Sequence, residues 1–236
     1  MKKILFIDNS IEQDIYRPVE HWEPFFIYPF DLYHAPSAKT LPAPDAYSHI
    51  VLSGSLSSTL ENRQWMLNEE GFIKKAFKLG KPILGSCFGH QIIAKAIFGE
   101  SAIKRRNFPE IGWPDIRIVQ NDILLGNKGD IINGFVLHFD DVHNLSLKYA
   151  DIILSSYECK IHAFKLKNYP VWGIQPHFEI GIAQGLKFID SLDFSNAPNK
   201  NDFLISKERQ PKDTGCIVRI LTEFLLQPHM IYDSSK

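Results

Sequence analysis

The chain has 236 residues, of which 44% are hydrophobic and 22% charged, with a formal net charge of −1 at pH 7. That length and composition predict one large α/β domain with a sizeable buried core. The near-zero charge excludes a duplex-binding protein, because neutralising phosphates requires a clear basic excess.

Met1 to Ser10 begins with two lysines but holds only four consecutive apolar residues, short of the about 7–15 of a signal peptide. No apolar stretch approaches the roughly 20 residues of a membrane span. Three cysteines, Cys87, Cys159 and Cys216, form an odd set without close pairing, which suits a reducing compartment. The expected location is the cytoplasm.

Lys3 to Ile7 reads as a buried strand closed by Asp8-Asn9-Ser10. Pro24 to Phe30 is aromatic but punctuated by prolines, so it is expected as a short or edge strand. Pro36, Pro42 and Pro44 mark a loop, and His49 to Leu52 is a strand running into Ser53-Gly54-Ser55. Gln64 to Leu79 has helical spacing and stops at Gly80. Ile83-Leu84 is a short strand, and Phe88 to Phe98 a helix ended by Gly99. The alternation implies a parallel sheet covered on both faces.

Beyond it, Lys104-Arg105-Arg106 is the densest basic run, read first as a solvated face and second as an acidic-ligand site. Short strands are expected over Ile116 to Val119, Ile131 to Leu137 and Ile152 to Leu154, with a hairpin from Ala163 to Leu166 and Val171 to Gln175. Helices return over Gly181 to Leu192 and Thr214 to Leu226, separated by a polar linker from Asn196 to Asp213. Residues 1–195 are thus expected as one domain, and 196–236 as a linker and a C-terminal helix packing on it. Neither the histidines nor the cysteines show clustered metal-ligand spacing, and no cofactor is expected.

Gly85-Ser86-Cys87-Phe88-Gly89 sits between a strand and a helix. A nucleophile flanked by small residues two before and two after fits the sharp turn of a nucleophile elbow. The helix N-terminus carries roughly half a positive charge, which favours thiolate over thiol. The Phe88 amide, in the first turn, has no intrahelical acceptor and can serve an oxyanion. The plainer reading of Cys87 is a buried core cysteine. Gly89-His90-Gln91 after it is more than a core cysteine requires.

A cysteine nucleophile needs a base, and the base an orienting acid. Of nine histidines, His177 stands two residues before a carboxylate at a strand end, in Gln175-Pro176-His177-Phe178-Glu179. Residues i and i+2 of extended backbone point the same way, so His177 and Glu179 can touch. The acid follows the histidine closely, unlike the order of an α/β-hydrolase.

At these residues the chain resembles the class I glutamine amidotransferases, in particular stand-alone proteins similar to the amidotransferase domain of GMP synthase. Residues 85–91 match the nucleophile motif of that family and residues 173–179 its histidine–glutamate motif. Val51 to Ser55 matches the glycine turn of the second oxyanion donor. Glu110-Ile111-Gly112-Trp113 and His138-Phe139-Asp140 look like further family segments. The resemblance implies a doubly wound, mostly parallel sheet flanked by helices, with a small antiparallel sheet beside it. It implies Cys87 as nucleophile, His177 as base and Glu179 as its orienter. Ser55, after Gly54, and Phe88 would donate backbone N–H groups to the oxyanion, and Gln91 would help hold the substrate.

Two departures stand out. Gly54-Ser55-Leu56 replaces the usual Gly-Gly-Pro, and serine resists φ > 0. His177-Phe178-Glu179 replaces His-Pro-Glu and loses the fixed φ of proline. No phosphate loop ending in Gly-Lys-Ser/Thr is present. The expected reaction is hydrolysis of the glutamine side-chain amide through a cysteine thioester, with ammonia passed to a separate synthase subunit. Two alternatives stay open: a free hydrolase of γ-glutamyl compounds, and a non-catalytic module of the same fold.

Overall fold

The computed structural model describes residues 2–191 and 215–230. Eleven strands and five helices are present among them. The strands are β1 (Ile4–Asp8), β2 (Phe30–His34), β3 (His49–Leu52), β4 (Ile83–Ser86), β5 (Ile103–Gly112) and β6 (Ile116–Ile118), then β7 (Ile131–Ile132), β8 (Val136–Val142), β9 (Ala150–Ser155), β10 (Ala163–Leu166) and β11 (Val171–Ile174). The helices are α1 (Pro18–Trp22), α2 (Gln64–Lys78), α3 (Phe88–Phe98), α4 (Ile182–Ser191) and α5 (Cys216–Leu226).

Nine strands form one sheet in the order β2-β1-β3-β4-β11-β10-β9-β6-β7. The β2-to-β11 portion is parallel, and the rest antiparallel. Strands β5 and β8 make a separate antiparallel pair.

The apolar runs of the parallel strands are buried on both faces, as covered parallel sheets require. Alternation sorts them: Leu5, Ile7, Ile50, Leu52 and Ile83 pack with Met66, Ile73, Ile92 and Ile93 of α2 and α3. Ile4, Phe6, Val51 and Leu84 face the other way, onto Trp22 of α1 and Ile217, Ile220 and Phe224 of α5. A smaller cluster of Tyr16, Ile111, Trp113, Phe135, Ile180 and Phe188 lies under α4.

Four expectations are corrected. Pro24 to Phe30 is not a strand: Glu23–Phe25 is a single 3₁₀ turn with Pro24 in its first positions, and the edge strand β2 starts only at Phe30. Proline lacks the N–H a ladder needs but suits the start of a helical turn. Ile131 to Leu137 is not one strand either. It divides between β7 of the large sheet and β8 of the small one. Asn133 marks the break, its side-chain amide donating to the Pro114 carbonyl at 2.8 Å and to Asp115 at 3.0 Å. The third correction is β5, not anticipated as a strand.

The basic run inside it is the fourth, at one position: Lys104 and Arg105 are exposed as a solvated face requires, but Arg106 is not. Arg105 pairs with Asp140 at 3.1 Å, and the mostly buried Arg106 with Asp141 at 2.9 Å. Helix α1 was not anticipated either; the remaining strands and helices begin and end within a few residues of expectation. The linker over Asn196 to Asp213 lies outside the described residues. No helix among the described residues is long and apolar enough to cross a membrane.

Candidate active site

Cys87 occupies the junction of β4 and α3 with φ 51° and ψ −105°, a region that L-residues with a Cβ avoid unless the surroundings impose it. The Cys87 N–H donates to the Ile174 carbonyl of β11 at 2.9 Å, and the Gly89 N–H to the Ser53 carbonyl of the β3 turn at 3.1 Å. Both flanking glycines are demanded by close approach. A Cβ at Gly85 would lie 2.4 Å from the Gly89 carbonyl, and one at Gly89 2.4 Å from the Leu52 carbonyl. The elbow is therefore a packing consequence of α3 starting against β3.

His177 follows β11 and is tied down by its own backbone, whose N–H donates to the Phe135 carbonyl at 2.7 Å. Its Nδ1 lies 2.6 Å from Glu179 Oε1. The contact expected from extended backbone is present, although residues 178 and 179 lie in a turn rather than in the strand. The same Glu179 oxygen accepts weaker bonds from Tyr16 Oη at 3.4 Å and Ser86 Oγ at 3.5 Å. Three donors on one buried carboxylate fix the ring and its tautomer, Nδ1–H toward Glu179.

Electrostatics make a coupled pair. Burial alone pushes the Cys87 thiol up, but the charge of His177 and a hydrogen bond from it bring the thiol below its ordinary value. Burial works against the His177 imidazolium in turn, and the charges of Glu179 and Cys87 more than offset it, raising that group. The opposite shifts have the directions that mutual stabilisation of a thiolate and an imidazolium gives.

The turn after β3 completes the surroundings. Gly54 leaves room for the imidazole, since a Cβ there would lie 2.6 Å from His177 Cε1. Among the described residues, positive φ at non-glycine positions is confined to Asn62, Cys87, Asn144 and Asn168. Ser55 is not one of them, so serine is accommodated without left-handed backbone.

Two cavities meet at Cys87. One, of about 230 Å³, is walled by Ser57, Gln91, Arg105, His138, Phe139 and Asp140. The other, of about 30 Å³, lies on the His177 side among Tyr16, Leu56, Phe135, Leu137, Ile180 and Phe188. Gln91 does not stand free in the first: its Nε2 donates to the Asp140 carbonyl at 2.9 Å and to Gln175 at 3.1 Å. Asp140 also accepts from Arg105 at 3.1 Å and from Ser58 at 2.5 Å.

All the predicted site residues thus converge: Cys87, His177 and Glu179 at the centre, Gly54, Ser55 and Phe88 around them, and Gln91 in the wall. Tyr16 and the α4 residue Phe188 were not anticipated. Their only signal was an aromatic near an apolar run. A second Cys–His–carboxylate grouping also appears, of Cys159, His162 and Glu110 with His138 beside them. It differs in kind, because Cys159 sits on no elbow, is 1% exposed, and its thiol is pushed well up by burial.

The fold and site thus define an α/β protein with a cysteine on a strained strand–helix elbow, near a buried histidine–glutamate pair. The family model for class-I glutamine amidotransferases matches residues 5–188, and the chain belongs to that family. A glutamine-hydrolyzing GMP synthase subunit from Methanothermobacter thermautotrophicus is 36% identical over 104 residues, 44% of this chain and 54% of that protein. Gamma-glutamyl peptidase 2 of Arabidopsis thaliana is 32% identical over 128 residues, 53% of this chain and 51% of that one. The chain thus spans about half the length of the curated relatives it matches. A glutamine amidotransferase from Methylobacillus flagellatus shares the fold with a TM-score of 0.76 at 19% identity, covering 100% of both chains. Another, from Thermotoga maritima, gives 0.67 at 20% identity over 96% of this chain and 99% of that one.

Proposed function

We propose that this protein hydrolyses the side-chain amide of glutamine through a γ-glutamyl thioester on Cys87, releasing ammonia for a partner synthase. The observation that carries this reading is the buried His177–Glu179 pair set against a cysteine on a strained elbow. The Cys87 thiolate attacks the amide carbon, and a C–S bond forms as the carbonyl becomes an oxyanion. The amides of Ser55 and Phe88 take that charge. His177, protonated at Nε2, gives its proton to the departing nitrogen, and the C–N bond breaks. Water, deprotonated by His177 Nε2, then attacks the thioester carbon; a C–O bond forms, the C–S bond breaks, and glutamate leaves with the Cys87 thiolate and His177 imidazolium restored.

The two cavities suit the two ends of the substrate. The polar one, bounded by Arg105 and Asp140, suits the amino-acid end. The leaving group must lie on the His177 side, where about 30 Å³ has room for one or two molecules the size of water. Ammonia fits there as the cavity stands. A partner that consumes the ammonia accords with the names of the GMP synthase subunits to which the chain is similar.

The similarity to gamma-glutamyl peptidases 2 and 4 of Arabidopsis thaliana favours a second reading, hydrolysis of γ-glutamyl amides with larger leaving groups. That reaction needs Leu56, 44% exposed, to swing aside and lengthen the cavity. Comparing kcat/KM for glutamine and for γ-glutamyl dipeptides on purified protein, with and without cell extract, separates the two. Ammonia release from glutamine, increased by extract and lost in Cys87→Ala, is the expected result. High efficiency on a dipeptide with negligible turnover of glutamine, unchanged by extract, overturns it.

A further inference from the structure

Behind the wall of the larger cavity, to which His138 contributes, three segments remote in sequence bring four residues together. Glu110 of β5 stands opposite His138 of β8 in the small sheet. Cys159 and His162 come from the connection between β9 and β10 of the large one. One donor atom from each lies within 4.8 Å of all the others. They are 6%, 3%, 1% and 0% exposed respectively.

We propose that Glu110, His138, Cys159 and His162 form a buried four-coordinate site for a divalent metal ion, suited to zinc, that fastens the small sheet to the large one.

The donor set is the first reason. Two imidazoles, a thiol and a carboxylate are the ligands of tetrahedral zinc, and bond lengths of about 2.0–2.3 Å put neighbouring donors about 3.3–3.6 Å apart. His138 Nε2 already lies 2.9 Å from Glu110 Oε2, and His162 Nε2 3.5 Å from Glu110 Oε1. The set closes around an ion by side-chain movements of about 1 Å or less.

The second reason lies in unmet valences. A plain Glu110–His138 ion pair would need neither the second imidazole nor the thiol. As it stands, Glu110 Oε1 is buried without a hydrogen bond, a costly condition in a sealed interior, and the His162 nitrogen that faces it, Nε2, meets only the Ser156 hydroxyl at 3.0 Å.

The outer shell is the third. His138 turns its far nitrogen, Nδ1, to the Asp140 carbonyl at 3.1 Å and the Asp141 carboxylate at 3.4 Å. This is the arrangement that fixes ring and tautomer in metal-binding histidines. Charge also balances. Arg106 neutralises Asp141 at 2.9 Å, which leaves one carboxylate and one thiolate to match a dication.

The test uses the full chain in two backgrounds, unmodified and Cys87→Ala, the latter removing the other Cys–His pair that could take metal. Each is incubated with zinc, dialysed, and its metal content measured; cobalt(II) replaces zinc for absorption spectroscopy. One zinc per chain is expected in both, with a thiolate-to-cobalt charge-transfer band in Cys87→Ala. Adding Cys159→Ser should remove that band and lower retained zinc at least tenfold, as should adding His162→Gln. Two results overturn the site: no retained metal in folded Cys87→Ala, or retention and spectrum unchanged by the added substitutions, which leaves a salt-bridged pair only. If Cys159→Ser does not fold, His162→Gln decides by the same criteria, because its amide fills the imidazole's space without replacing its metal bond.

Discussion

Glu179 never meets the substrate in the proposed reaction, yet it sets the pH range over which the reaction runs. It is a positioning residue, acting through His177. Activity should fall at low pH as Cys87 takes up a proton, below the ordinary thiol value because His177 holds it down. It should fall at high pH as His177 loses its proton, above the ordinary imidazole value because Glu179 and Cys87 hold it up. In Glu179→Gln the anion that stabilises the imidazolium is gone, so the His177 pKa drops and the alkaline limb moves to lower pH. A shift of about one unit or more is expected, with kcat lower by roughly 100-fold from loss of ring orientation. Measuring kcat/KM for glutamine across pH checks this. An alkaline limb that stays in place would mean another residue holds the imidazole.

At the scale of elements, the site is a meeting of loop ends. Gly54 in the turn after β3 is vacant space reserved for the His177 ring. Gly54→Ala places a methyl 2.6 Å from Cε1, so the ring or the turn must shift by about 1 Å, a displacement that costs on the order of 100-fold in kcat. The fold should tolerate it, with a change in thermal midpoint of only a few degrees. Gly71→Ala in α2 is the control: nothing lies within 4 Å of its added Cβ, and it should stabilise by about 0.5–1 kcal/mol without touching turnover. Equal kcat values for the two variants would remove Gly54 from the site.

The elements that build the elbow were legible because each is contiguous: an apolar strand, a Gly-x-Cys-x-Gly turn, an apolar helix ended at Gly99. The small sheet was not. Strand β5 lacks strict alternation, its pairing with β8 shifts register between Arg105 and Glu110, and a bulge erases the period of two. The same gap hid the four-residue cluster, whose members lie on three separate segments, with only Cys159 and His162 near each other in sequence. The His177–Glu179 contact, by contrast, needed only a spacing of two.

For the whole molecule, the large sheet is a wall between two cores, and its second face is closed from far along the chain. Helix α5 supplies Ile217, Ile220, Leu221, Phe224 and Leu225 to that face, beyond residue 188 where the family match ends. Phe224 is fully buried, with its ring edge-on to Trp172 of β11 at 6.3 Å between centroids. Phe224→Ala should cost about 3–5 kcal/mol, read by urea unfolding. Because β11 leads directly to His177, partial loosening should lower kcat before global unfolding sets in. Unchanged stability would place α5 off the sheet in solution. The helix was visible in the sequence from its amphipathic run, whereas which face it covers depends on topology and was not.

Asp140 carries one more consequence. Its carboxylate is held by Ser58 and Arg105, and its carbonyl by Gln91 and by His138 of its own strand, so three other segments of chain meet at one residue. Such a knot resists piecemeal replacement: a substitution there keeps the carbonyl but removes the carboxylate that Ser58 and Arg105 share, and restoring both contacts requires simultaneous changes elsewhere. New substrate preferences, whether reached by drift or by engineering, are therefore channelled to the exposed apolar parts of the same wall. Leu56 and Phe139, 44% and 40% exposed, are where a descendant of this protein can change what it accepts without first dismantling how it holds itself together.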